Sequence, residues 1–170
     1  MGTIVQAIDT SSIVCQTGNN TTSFYKPLLL FYADSANISG TAAALTVAST
    51  ITIPAGILSA YGNALEIVLV GQTTATANTR AIGIRLGSLT YSANLETSAS
   101  LYEMKFTISR YTSNTVANFT GVLTHVINTT TFGAHNVTTN SFASSQNLEI
   151  MYSSPSNGEN TIKSIRIYAY

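Results

Sequence analysis

The sequence predicts an all-β protein, an antiparallel β-sandwich of jelly-roll type, from three observations. Helix periodicity is nearly absent: no long segment repeats apolar residues at three- and four-residue spacing, and the abundant Thr, Ser and Asn are poor interior helix formers. Several segments instead alternate apolar and polar residues with the two-residue period of a pleated strand. Clusters rich in Gly, Asn, Ser and Pro punctuate them at short intervals, as in folds built from many short strands.

Eight to ten strands are expected, near residues 3–8, 12–16, 28–33, 44–53, 64–71, 80–87, 101–110, 116–127, 145–152 and 161–169. The clearest is 101–108, where Tyr102, Met104, Phe106 and Ile108 share one face and Glu103, Lys105 and Thr107 the other. In 147–152, Leu148, Ile150 and Tyr152 alternate with Asn147, Glu149 and Met151. In 80–87, Ile82, Ile84 and Leu86 share a face, with Arg80, Gly83 and Arg85 between or opposite them. The Ala-rich run 41–45 could open a short helix, but β-branched residues follow at once. Segments 28–32, 64–70 and 162–170 are apolar on both faces, so something must cover their outer side, most simply another subunit. Turns fall at Thr17-Gly18-Asn19-Asn20, Ile38-Ser39-Gly40, Pro54-Ala55-Gly56, Tyr61-Gly62-Asn63, Thr76-Ala77-Asn78-Thr79 and 153–158. No composition break divides the chain, so residues 1–170 read as one domain, with the less regular residues 1–26 as a possible N-terminal arm.

Composition narrows the function. The chain has 170 residues, formal net charge +0 and only 8% charged residues, against about 25% in ordinary domains. Its polarity comes from 26 Thr, 20 Ser and 14 Asn, while 45% of residues are hydrophobic and supply a core. A neutral chain lacks the basic footprint of a nucleic-acid binder and the charge that draws proteins to anionic membranes. It also lacks the net charge that keeps monomers apart, which favours life in contact with other protein. The lone Cys15 allows no internal disulfide. The N-terminus shows no secretory signal, so synthesis in a cytosol is expected.

Motifs for chemistry are missing. The acidic residues are Asp9, Asp34, Glu66, Glu96, Glu103, Glu149 and Glu159. Glu103 and Glu149 could form a glycosidase pair only if they faced one another, and both occupy outward, polar strand positions. His125 and His135 have no carboxylate or thiol close in sequence, so no metal-ligand set is expected. No nucleophile elbow or phosphate loop is present. No catalytic residue, cofactor or metal is therefore assigned. Tyr91, Tyr102, Tyr111, Tyr152, Tyr168 and Tyr170 could form a sugar-stacking platform, or serve strand packing and subunit contact, the favoured role. Tyr102, Tyr168 and Tyr170 are the candidate subunit contacts.

The centre of the chain carries a recognisable order of motifs. Ala48–Leu58 reads as a strand followed by Ile-Pro-Ala-Gly-Ile-Leu, then Tyr61-Gly62-Asn63 and the strand from Ala64. An Asn78-Thr79-Arg80 turn leads into a strand ending at Gly87; Ser145–Ile150, a Pro-Ser-Asn-Gly turn and Thr161–Ile167 complete the order. From about residue 41 to the C-terminus this resembles a family of small β-sandwich virion proteins of tailed bacteriophages, whereas residues 1–40 lie outside the resemblance. It implies a jelly-roll-like fold assembled as a homotrimer on a capsid, head fibre or tail, and no catalytic residue.

The function expected is that of a virion structural protein, a capsid decoration (cement) protein on the capsid surface, with the major capsid protein and itself as partners. The arm would supply capsid contacts through Ile4, Val5, Ile8, Ile13 and Val14; serving as a first strand of the sandwich is the other role open to it. The alternative is a tail or head-fibre component that recognises a host-surface glycan through loops 88–100 or 153–160. A major capsid protein is disfavoured because no basic arm is present to meet packaged nucleic acid.

Overall fold

The computed structural model describes residues 13–17, 20–24, 28–58, 64–113, 116–125, 129–138 and 141–170. They form twelve strands and, among the described residues, no helix: β1 (Ile13–Thr17), β2 (Asn20–Phe24), β3 (Leu28–Ile38), β4 (Ala42–Ile53), β5 (Ala64–Thr73), β6 (Arg80–Leu86), β7 (Leu89–Leu95), β8 (Ser100–Ser113), β9 (Val116–His125), β10 (Thr129–Thr138), β11 (Gln146–Ser154) and β12 (Asn160–Ala169). Nine of the expected strands coincide with observed ones, and residues 3–8 lie outside the described residues. Sequence periodicity missed β2, β7 and β10. The first and last carry few large apolar residues, and β7 follows β6 through only Gly87 and Ser88.

Two antiparallel sheets make up the body of the protein, in the orders β10-β9-β8-β5-β12-β3 and β4-β11-β6-β7. Four of the pairings nest within one another along the chain: β6 with β7, β5 with β8, β4 with β11, and β3 with β12. β12 also pairs with β5 and β11 with β6, so each of these late strands fills the interior of a sheet. β9 and β10 extend the larger sheet beyond β8. β1 and β2 form a separate two-stranded sheet, hydrogen-bonded into neither of the others. Of the segment 1–26, open to the role of an arm or of a first strand of the sandwich, the described residues 13–17 and 20–24 pair only with each other.

One apolar cluster draws on both large sheets, an arrangement that fits a β-sandwich. Leu65, Ile67 and Leu69 of β5, Met104, Phe106 and Ile108 of β8, and Ile165 and Ile167 of β12 meet Ile51, Ile53, Ile82, Ile84, Leu86, Leu148 and Ile150 of the smaller sheet. Each such side chain contributes roughly 1.5–3 kcal/mol by leaving water. Tyr91 of the smaller sheet stands edge-on to Phe106 at 6.0 Å and tilted against Phe119 at 5.3 Å, closing the gap between the sheets.

β5 is indeed apolar on both faces, but the chain covers much of its outer side itself. Val68 points outward between Lys105 on β8 and Arg166 on β12, yet is only 9% exposed. Long aliphatic stems flanking an apolar outward position give this result. Lys105 Nζ also reaches Glu66 Oε2 at 2.6 Å across the same strands. Burial of Val68 thus needs no second subunit.

Candidate functional site

Two polar constructions sit at opposite ends of the smaller sheet. The first begins with Arg80, which, rather than lying between or opposite Ile82, Ile84 and Leu86 as expected, shares their inward parity and is fully buried. Its guanidinium donates to the carbonyls of Thr74 and Glu96, and to that of Glu159 at 2.9 Å. One cation thereby holds the β5–β6, β7–β8 and β11–β12 connections together. Burial lowers its pKa, opposed by the nearby Glu159 and Tyr102, but a guanidinium still keeps its charge.

The surrounding bonds lock the same three loops. Thr74 N–H donates to Glu159 O at 3.1 Å and Thr76 N–H to Thr97 O at 2.9 Å. The Thr73 hydroxyl donates to Ser98 O at 2.9 Å. Asn78 Nδ2 and Ser156 N–H both donate to the Glu159 carboxylate at 2.9 Å. Hydrogen bonding from the Thr76 side chain, then from the Ser156 backbone and Asn78, holds that carboxyl below the usual carboxylate range.

Tyr102 belongs to this end, and its expected place in a subunit contact is corrected: the residue is only 2% exposed within a single chain. Its hydroxyl donates to Asn160 Oδ1 at 2.9 Å, while Asn160 Nδ2 donates to Ser153 O at 3.2 Å and Ala81 O at 3.3 Å. The ring lies over Gly71, where a Cβ would fall 2.3 Å from Tyr102 Cζ and 2.6 Å from Thr161 O. Burial pushes the phenol well above its ordinary pKa, with Arg80 opposing.

The second construction lies where β6 ends and β11 begins. An open cleft of about 450 Å³ is lined by Arg85, Gly87, Ser141, Ser144, Ser145, Gln146, Asn147 and Glu149. Arg85 Nε donates to Glu149 Oε2, so the two charges in the lining are paired with each other. Gln146 Nε2 donates to Ser141 O at 2.6 Å and the Ser144 hydroxyl donates to the same carbonyl at 3.2 Å. Phe142, 4% exposed, pins this loop into the core, and Gly56 N–H donates to its carbonyl at 3.3 Å.

The other candidate residues scatter. Ile4, Val5 and Ile8 lie outside the described residues, and Ile13 and Val14 fall on β1. Tyr168 is half-buried opposite Glu66, and Tyr170 is 46% exposed, its backbone paired with Ala64. Tyr91, Tyr102 and Tyr152 pack into the core, so no platform of these three faces solvent. Segment 88–100, read as a loop, is mostly strand β7, leaving 96–99 as the connection. Glu103 and Glu149 stand in different sheets on outward positions and do not face one another. No group of three or more His, Cys, Asp or Glu able to hold a metal occurs among the described residues. Large exposed apolar side chains there are Val47, Leu101 and Tyr170, on β4, at the start of β8 and just after β12. No family model, curated protein or solved structure matches this chain.

Proposed function

We propose that the protein is a virion structural protein, a capsid decoration (cement) protein of a tailed phage. In this reading it is a homotrimeric jelly roll on the capsid surface that binds across the capsomers of the major capsid protein. The observation that supports its jelly-roll part is the nested pairing of β3–β12, β4–β11, β5–β8 and β6–β7. A long β-ribbon rolled upon itself produces such nesting, and jelly rolls recur among capsid proteins. The function itself rests on the resemblance of residues 41–170 to phage virion proteins, since a fold alone does not specify a function.

The mechanism is added contact. Each subunit would bury area on both sides of a capsomer seam, so that the outward force of packaged DNA must separate more surface. A neutral Thr-, Ser- and Asn-rich exterior suits this, because such contacts lose less to salt than exposed ion pairs do. The β1–β2 hairpin, outside both large sheets, supports residues 1–26 as the arm that reaches the shell, with Ile13 and Val14 among its contacts. Tyr168 and Tyr170 remain the candidates for contact between subunits. Quantitative mass spectrometry of purified particles tests the reading: copy number is expected to be comparable to that of the major capsid protein, and absence from particles overturns it.

A second reading, host-glycan recognition by a tail or head-fibre component, is favoured by one observation. Connections 74–79, 96–99 and 155–159 gather at one end on Arg80, which makes a rigid presenting surface. Binding to intact host cells separates the two, since a cement protein is expected to bind none.

A further inference from the structure

We propose that the open cleft between the β6–β7 turn and the 141–146 loop is a binding site for a neutral saccharide. The proposal rests on the glycan-recognition reading and moves the site to the opposite end of the sheet from the loops clasped by Arg80. Its volume, about 450 Å³, falls within the ~300–1,000 Å³ of small-ligand sites and admits about one or two pyranose rings. Its lining is made of groups that match vicinal hydroxyls: the amides of Gln146 and Asn147, the hydroxyls of Ser141, Ser144 and Ser145, and the ion-paired Arg85 and Glu149. A sugar hydroxyl both donates and accepts, so a mixed lining serves it better than one of a single kind.

Charge selects among ligands. Glu149 sits beside Arg85 in the lining, so a phosphate, sulfate or sialic acid drawn to the guanidinium meets a carboxylate. A cationic ligand meets the reverse conflict. A neutral polyol engages both side chains while leaving their pairing intact.

The wall is ordered before any ligand arrives. The Ser141 carbonyl accepts from Gln146 Nε2, the Ser144 hydroxyl and Ser144 N–H, and Phe142 anchors the loop in the core. At the facing turn Gly87 takes φ +59, a left-handed conformation open to glycine. A preformed site loses little entropy on binding. Asn147 and Ser145 remain exposed at the rim, where a ligand reaches them directly. With no aromatic residue in the lining, single-site affinity is weak.

Saturation-transfer NMR on the full chain tests the site, with the methyl glycosides of glucose, galactose, mannose and N-acetylglucosamine as probes and sialyllactose as the charged control. Binding of at least one neutral glycoside is expected, with Asn147→Ala and Ser145→Ala each weakening it by about tenfold and Asn157→Ala, in the clasped loops, leaving it unchanged. Weakening by Asn157→Ala alone overturns the cleft but leaves glycan recognition standing. Preference for sialyllactose overturns the neutral-ligand assignment. No transfer from any neutral glycoside overturns the cleft, and if the intact protein also fails to bind host cells, glycan recognition falls with it.

Discussion

Where β6 begins, one cation is sealed beneath three loops; where β6 ends, an ion pair and a row of neutral side chains stand in water. Both ends are polar, but they do different work. At the Arg80 end the two terminal guanidinium nitrogens donate to backbone carbonyls from connections far apart in sequence, so the charge organises the fold. At the cleft end Gln146 and Ser144 are held by the Ser141 carbonyl and Asn147 accepts from the Thr52 hydroxyl at 3.5 Å, while Ser144, Ser145 and Asn147 stay exposed, which leaves them for a partner. Burial, rather than polarity, separates structural from available chemistry here.

The sharpest way to break this contrast is Arg80→Leu. The Thr74 and Glu96 carbonyls lose the guanidinium donor and the Glu159 carbonyl keeps only Thr74 N–H, so a loss of about 3–5 kcal/mol is expected in urea unfolding. A loss below about 1 kcal/mol would show that the loops hold without the cation. Gly71→Ala comes next, because its new methyl must displace the Tyr102 ring or the Thr161 backbone; about 1–3 kcal/mol is the usual scale for such overpacking, read from the same unfolding curves.

Tyr102→Phe keeps the ring and removes the bond to Asn160, at a cost of about 1 kcal/mol. It also changes the alkaline limb. The folded phenol titrates above its ordinary value, so its contribution is complete below about pH 10 and falls as pH rises past the unfolded pKa. Unfolding free energy measured from neutral to alkaline pH is expected to fall less steeply in the variant.

Glu159 works in the other direction. Its carboxyl titrates below the ordinary range, so its contribution is present above about pH 4–5 and is lost as pH falls through the folded value. Glu159→Gln is expected to flatten the acid limb of a stability–pH profile. The smallest effect belongs to the cleft: Asn147→Ala is expected to move stability by no more than about 0.5 kcal/mol. A larger loss by thermal or urea melting would mean that the cleft is part of the scaffold after all.

The same contrast shows what the amino-acid pattern made legible. Alternation along 101–108 and 147–152 placed β8 and β11 and named their inward residues, because one face of each meets a common core. Parity also held information that residue type obscured. Arg80 falls in step with Ile82, Ile84 and Leu86, and Tyr102 with Met104, Phe106 and Ile108, so both were marked as inward by spacing alone. Charge and phenol chemistry suggested surface roles instead, and burial overrode them once the three loops supplied partners. The cleft was not legible in this way, since it joins Arg85 to residues 141–149 through strand pairing that no local pattern specifies.

The nesting of the strand pairs has a consequence for how the molecule is made. β6 and β7 can meet as soon as residue 95 has left the ribosome, but β4 and β3 must wait for partners that begin only at Gln146 and Asn160. Because β11 and β12 fill the interiors of the two sheets, β3 and β4 wait beside empty berths until residues 146–169 emerge. Pairing across such separations is slow, since long loops must close before any contact rewards them. Through that interval the uncharged strand Ala42–Ile53 has its backbone unpaired, and newly made chains crowded on one message are then most prone to join each other rather than themselves.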